Sequence, residues 1–106
     1  MRIITKAEML AKLDLPQVIS LQEAGFVAYS QGQIVAPPVG HLHFVSPPGD
    51  CHIKYGMLKD DDIFIVKIAQ SFYDNPKLGL PSSNGVMLVF SAKTGNQWRF
   101  WLMRGI

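Results

Sequence analysis

The segment from Ile63 to Ala69 constrains the fold of this chain more than any other. It runs Ile-Phe-Ile-Val-Lys-Ile-Ala, so six of its seven residues are apolar. Isoleucine and valine favour extended backbone, and this composition is typical of a buried strand. Lys67 interrupts the run, and its ammonium needs water, a partner or a ligand because an unpaired buried charge is costly. Either Lys67 ends the strand and extends to water, or it has a functional role.

The size and composition of the chain point to one soluble domain. It has 106 residues, a formal net charge of +2 and a single cysteine, Cys51. One cysteine excludes an internal disulfide, and the scattered basic residues give no expectation of a nucleic-acid partner. No apolar stretch is long enough for a signal peptide or a membrane span, so we expect no membrane partner and a cytoplasmic location.

The N-terminal third predicts two helices. Thr5-Lys-Ala-Glu8 matches a capping box and predicts a short helix over about 6–13. A second helix is predicted from Pro16 to Ser30, with Gly32 just beyond it as a stop. Apolar residues gather on one side of this second helix, which predicts packing on a sheet. Gly25 weakens the helix, and close packing against a neighbour would explain its presence.

From Gln33 onward the sequence predicts strands. Polar turns at 59–62 and 93–96 predict two antiparallel hairpins. The predicted strands are 2–5, 34–36, 42–45, 51–58, 62–70, 86–90 and 97–103. Helices followed by strands predict an α+β class, with two N-terminal helices packed on a largely antiparallel β-sheet in a single domain over 1–106.

The last predicted strand carries a large apolar load. Trp98, Phe100, Trp101 and Met103 all fall within a few residues of the C-terminus. If this strand lies at the edge of the sheet, we expect a second subunit or further chain to cover it.

Three histidines invite a metal interpretation without establishing it. His41 and His43 would point to one face of a strand, which is a usable geometry for zinc, and Cys51 and His52 lie nearby in the sequence. The spacing is not diagnostic and no carboxylate is obviously placed to complete the ligands, so the sequence assigns no metal ligands.

Catalytic and nucleotide-binding motifs are also missing from the sequence. Cys51 and the pair Ser82-Ser83 have no accompanying base motif, so no catalytic residue is assigned. The sequence has neither G-x-G-x-x-G nor G-x-x-x-x-G-K-[ST], and a nucleotide cofactor would lack its usual phosphate cradle. Asp60-Asp-Asp62 is typical of a solvated turn, since its ligand spacing does not fit a calcium loop.

A pair of lysines remains as the candidate binding site. Lys54 and Lys67 lie on the two arms of the first predicted hairpin, each among apolar neighbours. Two ammonium groups converging on one pocket could bind a carboxylate. The alternative is that both side chains are simply solvated.

Several segments, in this order and spacing, resemble the N-terminal domain of the ornithine cyclodeaminase/mu-crystallin family. The resemblance covers about residues 15–95 and rests on Ile19–Gly32, Val35–Gly40, His52–Gly56, Ile65–Ala69, Tyr73–Gly85 and Met87–Gly95. It implies a relation to NAD(P)-dependent enzymes that act on amino acids or cyclic imines. In that family the N-terminal domain supplies the substrate pocket and the dimer interface, and a separate Rossmann domain binds the cofactor.

The resemblance also implies roles for individual residues. Lys67 matches the family lysine that contacts the substrate carboxylate, and Lys54 resembles a second pocket residue. Many family members carry an arginine for the same carboxylate shortly after the Pro-Pro segment, and Val39 stands about where it is expected.

The resemblance stops after Gly95. The tail 96–106 lacks the Leu-Thr-x-x-Arg-Thr-Ala-Ala segment, and neither the Rossmann domain nor the catalytic aspartate follows. A frameshift, a recombination junction or a shortened product would each give this tail. We therefore expect a truncated substrate-binding and dimerisation domain, inactive on its own, with no cofactor in this chain. A homodimer or higher oligomer and a small amino acid are its expected partners. The alternatives are a stand-alone binder of a small amino acid or carboxylate, and one half of a split enzyme.

Overall fold

The computed structural model describes residues 1–104, with side chains through residue 97. The elements, in chain order, are β1 (Arg2–Ile4), α1 (Lys6–Lys12), α2 (Leu15–Ser30), β2 (Ile34–Val35), β3 (Gly40–Phe44), β4 (Gly49–Leu58), β5 (Ile63–Phe72), β6 (Ser83–Ser91) and β7 (Gln97–Arg104). A short 3-10 helix, Asn75–Leu78, lies between β5 and β6. The predicted α+β class, with two helices and a largely antiparallel sheet, is confirmed.

All strands join one sheet. Its order is β1-β7-β6-β5-β4-β2, and β3 also pairs with β4. Within the described residues, β1 with β7 is the one parallel pair. Because β7 has a strand on each side, it does not form the edge that its sequence suggested. The side chains of Trp98, Phe100, Trp101 and Met103 lie outside the described residues.

The two predicted hairpins are confirmed, and the first is longer than predicted. Strands β4 and β5 pair from Gly49 opposite Phe72 to Gly56 opposite Ile65. Gly49 allows β4 and β5 to remain paired to this end of the hairpin. The rings of Phe44 and Phe72 pack together beside it, with centroids 5.2 Å apart. A Cβ at Gly49 would lie 2.7 Å from Phe72 Cδ1, so only glycine leaves room for that ring.

The helix boundaries follow the predicted signals. The Thr5 amide donates to Glu8 Oε2 at 2.8 Å, and the Glu8 amide donates to Thr5 Oγ1 at 3.3 Å, which is the predicted capping box. Pro16 lies in the first turn of α2, and Gly32 follows the helix with a φ of 72°. Within residues 1–104, no helix is long and apolar enough to cross a membrane.

The described chain buries little apolar surface. Val89, 3% exposed, is the one buried hydrophobic residue among those described, and neither helix contains a buried residue. Phe26 and Tyr29 on α2 are 73% and 68% exposed. The close packing predicted at Gly25 is absent, because a Cβ there would meet no described atom within 4 Å. The apolar side of α2 therefore remains uncovered in the single chain.

Candidate functional site

The two candidate lysines lie side by side on the sheet. Lys54 of β4 pairs directly with Lys67 of β5, so both side chains project from the same face. We call this the lysine face. Lys67 occupies the middle of β5 and is half-buried, so the interpretation that it ends the strand is wrong. Lys54 is exposed.

The lysines line a small open cavity. Its other walls are His52 and Ala69, and its volume is about 160 Å³. Among the residues whose side chains are described, no carboxylate forms an ion pair with either ammonium. Two like charges on paired positions repel each other, and a bound anion would remove that repulsion while accepting charge-assisted hydrogen bonds. The cavity is suited to the carboxylate end of a small molecule.

A second polar cluster lies on the lysine face beside this cavity. In the β3–β4 pairing His41 is opposite His52, and His43 is opposite Asp50. His41 Nε2 lies 2.8 Å from Asp50 Oδ1, and His43 Nδ1 lies 3.3 Å from the same oxygen. The Tyr73 hydroxyl donates to the other carboxylate oxygen, Asp50 Oδ2.

These hydrogen bonds determine the charge state of Asp50. The Tyr73 hydroxyl, followed by His41 and His43, stabilises the ionised carboxylate and holds the pKa of Asp50 well below its usual range. The same bond raises the pKa of Tyr73, because losing the phenolic proton would place a second negative charge beside Asp50. The cluster is therefore built around a stable carboxylate anion.

His52 connects the cluster to the lysine cavity. Its ring stacks on that of His41, with centroids 4.4 Å apart and planes 6° from parallel. The sequence analysis did not identify Asp50 or Tyr73, because they fall in a predicted turn and a predicted loop. The register of β3 against β4 is the signal that would have placed Asp50 opposite His43.

The nucleophile candidates do not join either group. Cys51 alternates with Asp50 and His52 along β4, so its side chain projects from the opposite face of the sheet. Ser83 Oγ lies 3.0 Å from Ser71 Oγ, and each hydroxyl has the other as its hydrogen-bond partner.

The sequence has relatives among curated proteins. It is 37% identical over 97 residues to a protein of Rhizobium meliloti named "Putative dehydrogenase RB0419". It is 33% identical over 97 residues to "Uncharacterized cyclodeaminase y4tK" of Sinorhizobium fredii. Each alignment covers 90% of this chain and 29% of the relative. This chain is a homologue of these two proteins, one named as a dehydrogenase and the other as a cyclodeaminase. The predicted resemblance is confirmed, and the chain spans less than a third of the length of these relatives.

Solved structures share the fold of this chain. The Δ1-pyrroline-2-carboxylate reductase of Thermococcus litoralis, in complex with NADH and L-proline, superposes with a TM-score of 0.89 at 22% identity. An archaeal alanine dehydrogenase dimer with bound NAD superposes with a TM-score of 0.87 at 24% identity. The match covers 96% of this chain in both cases, and 32% and 31% of those chains. No family model matches the sequence.

The connections that precede the two helices contain no glycine. A pyrophosphate is ordinarily held by a glycine-rich turn between a strand and the N-terminus of a helix. The connection from β1 to α1 is Thr5 alone, and the connection from α1 to α2 is Leu13-Asp14.

Proposed function

We propose that this chain is the substrate-binding and dimerisation part of an ornithine cyclodeaminase-like, NAD(P)-dependent amino-acid enzyme. The observation that carries the proposal is the pairing of Lys54 with Lys67 at a cavity in which neither has a described anionic partner. The names of the relatives, and the L-proline bound by the Thermococcus litoralis enzyme, support a small amino or imino acid as the ligand.

The proposed ligand binds through its carboxylate. Lys67 is held in the middle of β5, so its ammonium is the better positioned of the two. Lys54, on the neighbouring strand, contributes the second positive charge. His52 and Ala69 form the remaining walls and leave space for a small side chain or ring.

A second copy of the chain is the proposed partner. The exposed apolar side of α2 includes Phe26 and Tyr29, which with Gln22, Gly25 and Ile34 line an apolar hollow of about 310 Å³. The sheet face opposite the lysines also exposes apolar side chains, namely Leu42, Phe44, Ile53 and Tyr55. Surfaces of this kind ordinarily mark an interface. The archaeal alanine dehydrogenase that shares this fold is a dimer, which supports a second copy as the occupant.

The chain is proposed to be catalytically inactive on its own. The connections before α1 and α2 lack the glycine-rich turn that ordinarily holds a pyrophosphate, which supports this proposal. Incubation of the chain with NAD+ and L-alanine, L-proline or L-ornithine should give no change in absorbance from NADH formation. Turnover by the chain alone would contradict the proposal. Turnover only after mixing with a separate Rossmann polypeptide would instead favour half of a split enzyme.

The binding proposal is tested by calorimetric titration of L-proline, L-alanine and L-ornithine into the chain. We expect saturable binding of at least one of them, lost in Lys67→Ala and weakened in Lys54→Ala. Lys59→Ala is the matched control, since it removes the same charge from the exposed turn between β4 and β5. Unchanged binding in Lys67→Ala, or an equal loss in Lys59→Ala, would refute the site.

A further inference from the structure

We propose that His41, His43 and Asp50 form a binding site for Zn²⁺ or a similar late first-row divalent cation. This inference is independent of the proposed amino-acid pocket, because it uses none of the lysines. Each of the three residues offers one ligand atom, and these atoms all lie within 4.8 Å of one another. The site is formed by the β3–β4 pairing, which places two histidines of one strand next to a carboxylate of the other.

The distances are close to those of a coordinated ion. Bonds of about 2.0–2.2 Å in a tetrahedral zinc site place neighbouring ligand atoms about 3.3–3.6 Å apart. In the present cluster His43 Nδ1 is 3.3 Å and His41 Nε2 is 2.8 Å from Asp50 Oδ1. The three ligand atoms all lie within 4.8 Å of one another. An ion placed among them requires that the imidazole nitrogens facing Asp50 carry no proton, so that each ring keeps its proton on the other nitrogen.

The ligand types indicate which ion fits. Two imidazole nitrogens and one carboxylate oxygen suit Zn²⁺, Cu²⁺ or Ni²⁺, whereas Ca²⁺ and Mg²⁺ prefer oxygen ligands alone. The side chains of His41 and His43 are 48% and 66% exposed, so an ion can reach them from solvent. Three protein ligands leave the fourth tetrahedral position to water.

Tyr73 and His52 orient the proposed ligands, as residues that contact metal ligands from behind do in other metal sites. The Tyr73 hydroxyl donates to Asp50 Oδ2 and leaves Oδ1 facing the two imidazoles. The stacked ring of His52 supports the plane of His41. One carboxylate oxygen and two imidazole nitrogens are thus directed at the same small volume.

The experiment is a titration of Zn²⁺ into the tag-free chain, followed by competition with a chromogenic chelator. We expect one ion per chain with micromolar or tighter affinity. His43→Gln and Asp50→Asn should each abolish this binding, and Tyr73→Phe should weaken it by about 10- to 100-fold, as for other outer-shell changes. Because His43 is exposed, its substitution is compatible with folding, and circular dichroism of each variant checks this.

Cys51→Ser is the matched control that separates this site from another zinc-binding group, because it removes the one thiol, which projects from the other face of the sheet. This variant should retain both the stoichiometry and the affinity. The proposal is overturned if the wild-type chain binds no Zn²⁺ saturably, if folded His43→Gln retains full affinity, or if Cys51→Ser loses binding as completely as His43→Gln.

Discussion

At the scale of single residues, strand register decides which charges act together. Lys54 and Lys67 are thirteen positions apart in the sequence and directly paired in the sheet. Val39 immediately precedes Gly40, which pairs with Ile53. Continuing this register by one residue sets Val39 opposite Lys54, and we infer from this that the two residues are neighbours.

This position gives the first prediction. Val39→Arg should tighten binding of amino-acid carboxylates by on the order of tenfold, because a guanidinium forms charge-assisted and bidentate bonds to a carboxylate. The measurement is the calorimetric titration of L-proline, L-alanine and L-ornithine. Val45→Arg is the matched control, since Val45 is 82% exposed in the turn between β3 and β4. An equal gain from both substitutions would mean that net charge, rather than the pocket, attracts the ligand.

At the scale of elements, short local interactions fix the ends of the helices. The capping box holds the start of α1, and the Thr5 amide, by donating to the Glu8 carboxylate, lowers the pKa of Glu8 below its usual 4.5. A carboxylate whose pKa is lowered by folding stabilises the folded state above its unfolded pKa. That contribution is lost as the pH falls through the folded pKa.

The second prediction follows from the lowered pKa of Glu8. Thr5→Ala should lower the free energy of unfolding by about 1 kcal/mol at neutral pH. Glu8→Gln should be less stable than the wild-type chain at pH 7, and the difference should shrink as the pH falls below 4.5, the usual pKa of this carboxyl, and through its lowered pKa in the folded state. Urea unfolding at several pH values measures both effects. Glu23→Gln, which removes one carboxylate from the exposed surface of α2, is the control. A difference for Glu8→Gln that stays constant with pH would contradict the assignment.

The third prediction concerns the β4–β5 hairpin. In Gly49→Ala the new Cβ would lie 2.8 Å from the backbone oxygen of Ser71 as well as against the Phe72 ring. A backbone oxygen in a paired strand cannot move away as the end of a flexible side chain can. We therefore expect the free energy of unfolding to fall by about 1–3 kcal/mol. Gly25→Ala is the comparison, because its Cβ meets no described atom within 4 Å and alanine favours the helix. Equal destabilisation by the two substitutions would refute this account.

At the scale of the whole molecule, the described part of the chain leaves many large apolar side chains exposed. Val89 is the one buried hydrophobic residue within the described part, whereas Leu21 and Phe26 of α2 are largely exposed. A helix gains most of its stability in a protein from burial of its apolar side. The proposed second copy would supply that burial.

The fourth prediction tests this surface. Phe26→Glu should shift the chain from dimer to monomer, because a carboxylate in an apolar interface loses its hydration without gaining a partner. Light scattering behind size exclusion gives the mass directly. Ser20→Glu adds the same charge on the other side of α2 and should leave the dimer intact. A wild-type chain that is monomeric at all concentrations would remove the dimerisation proposal.

Most of the architecture could be predicted because its signals are local. The capping box at Thr5, Pro16 and Gly32 fixed both helices, and alternation and turn residues fixed the strands. The resemblance to cyclodeaminase-like proteins could also be recognised from the sequence, because it rests on residue identities. For the lysine pair, the sequence predicted only that the two residues lie on the two strands of one hairpin.

The features that could not be predicted depend on how strands from separate parts of the sequence pair with one another. The position of Asp50 between His41 and His43 follows from the register of β3 on β4, which a shift of one residue would reverse from one face to the other. The same register brings His52, which lines the cavity beside Lys67, against His41. The amino-acid sequence thus determined the helices and strands, through short-range sterics and hydrogen bonding. Its residue identities also carried the resemblance to cyclodeaminase-like proteins. Only the tertiary structure decided which side chains share a face and which apolar surfaces remain uncovered, because these are outcomes of long-range packing.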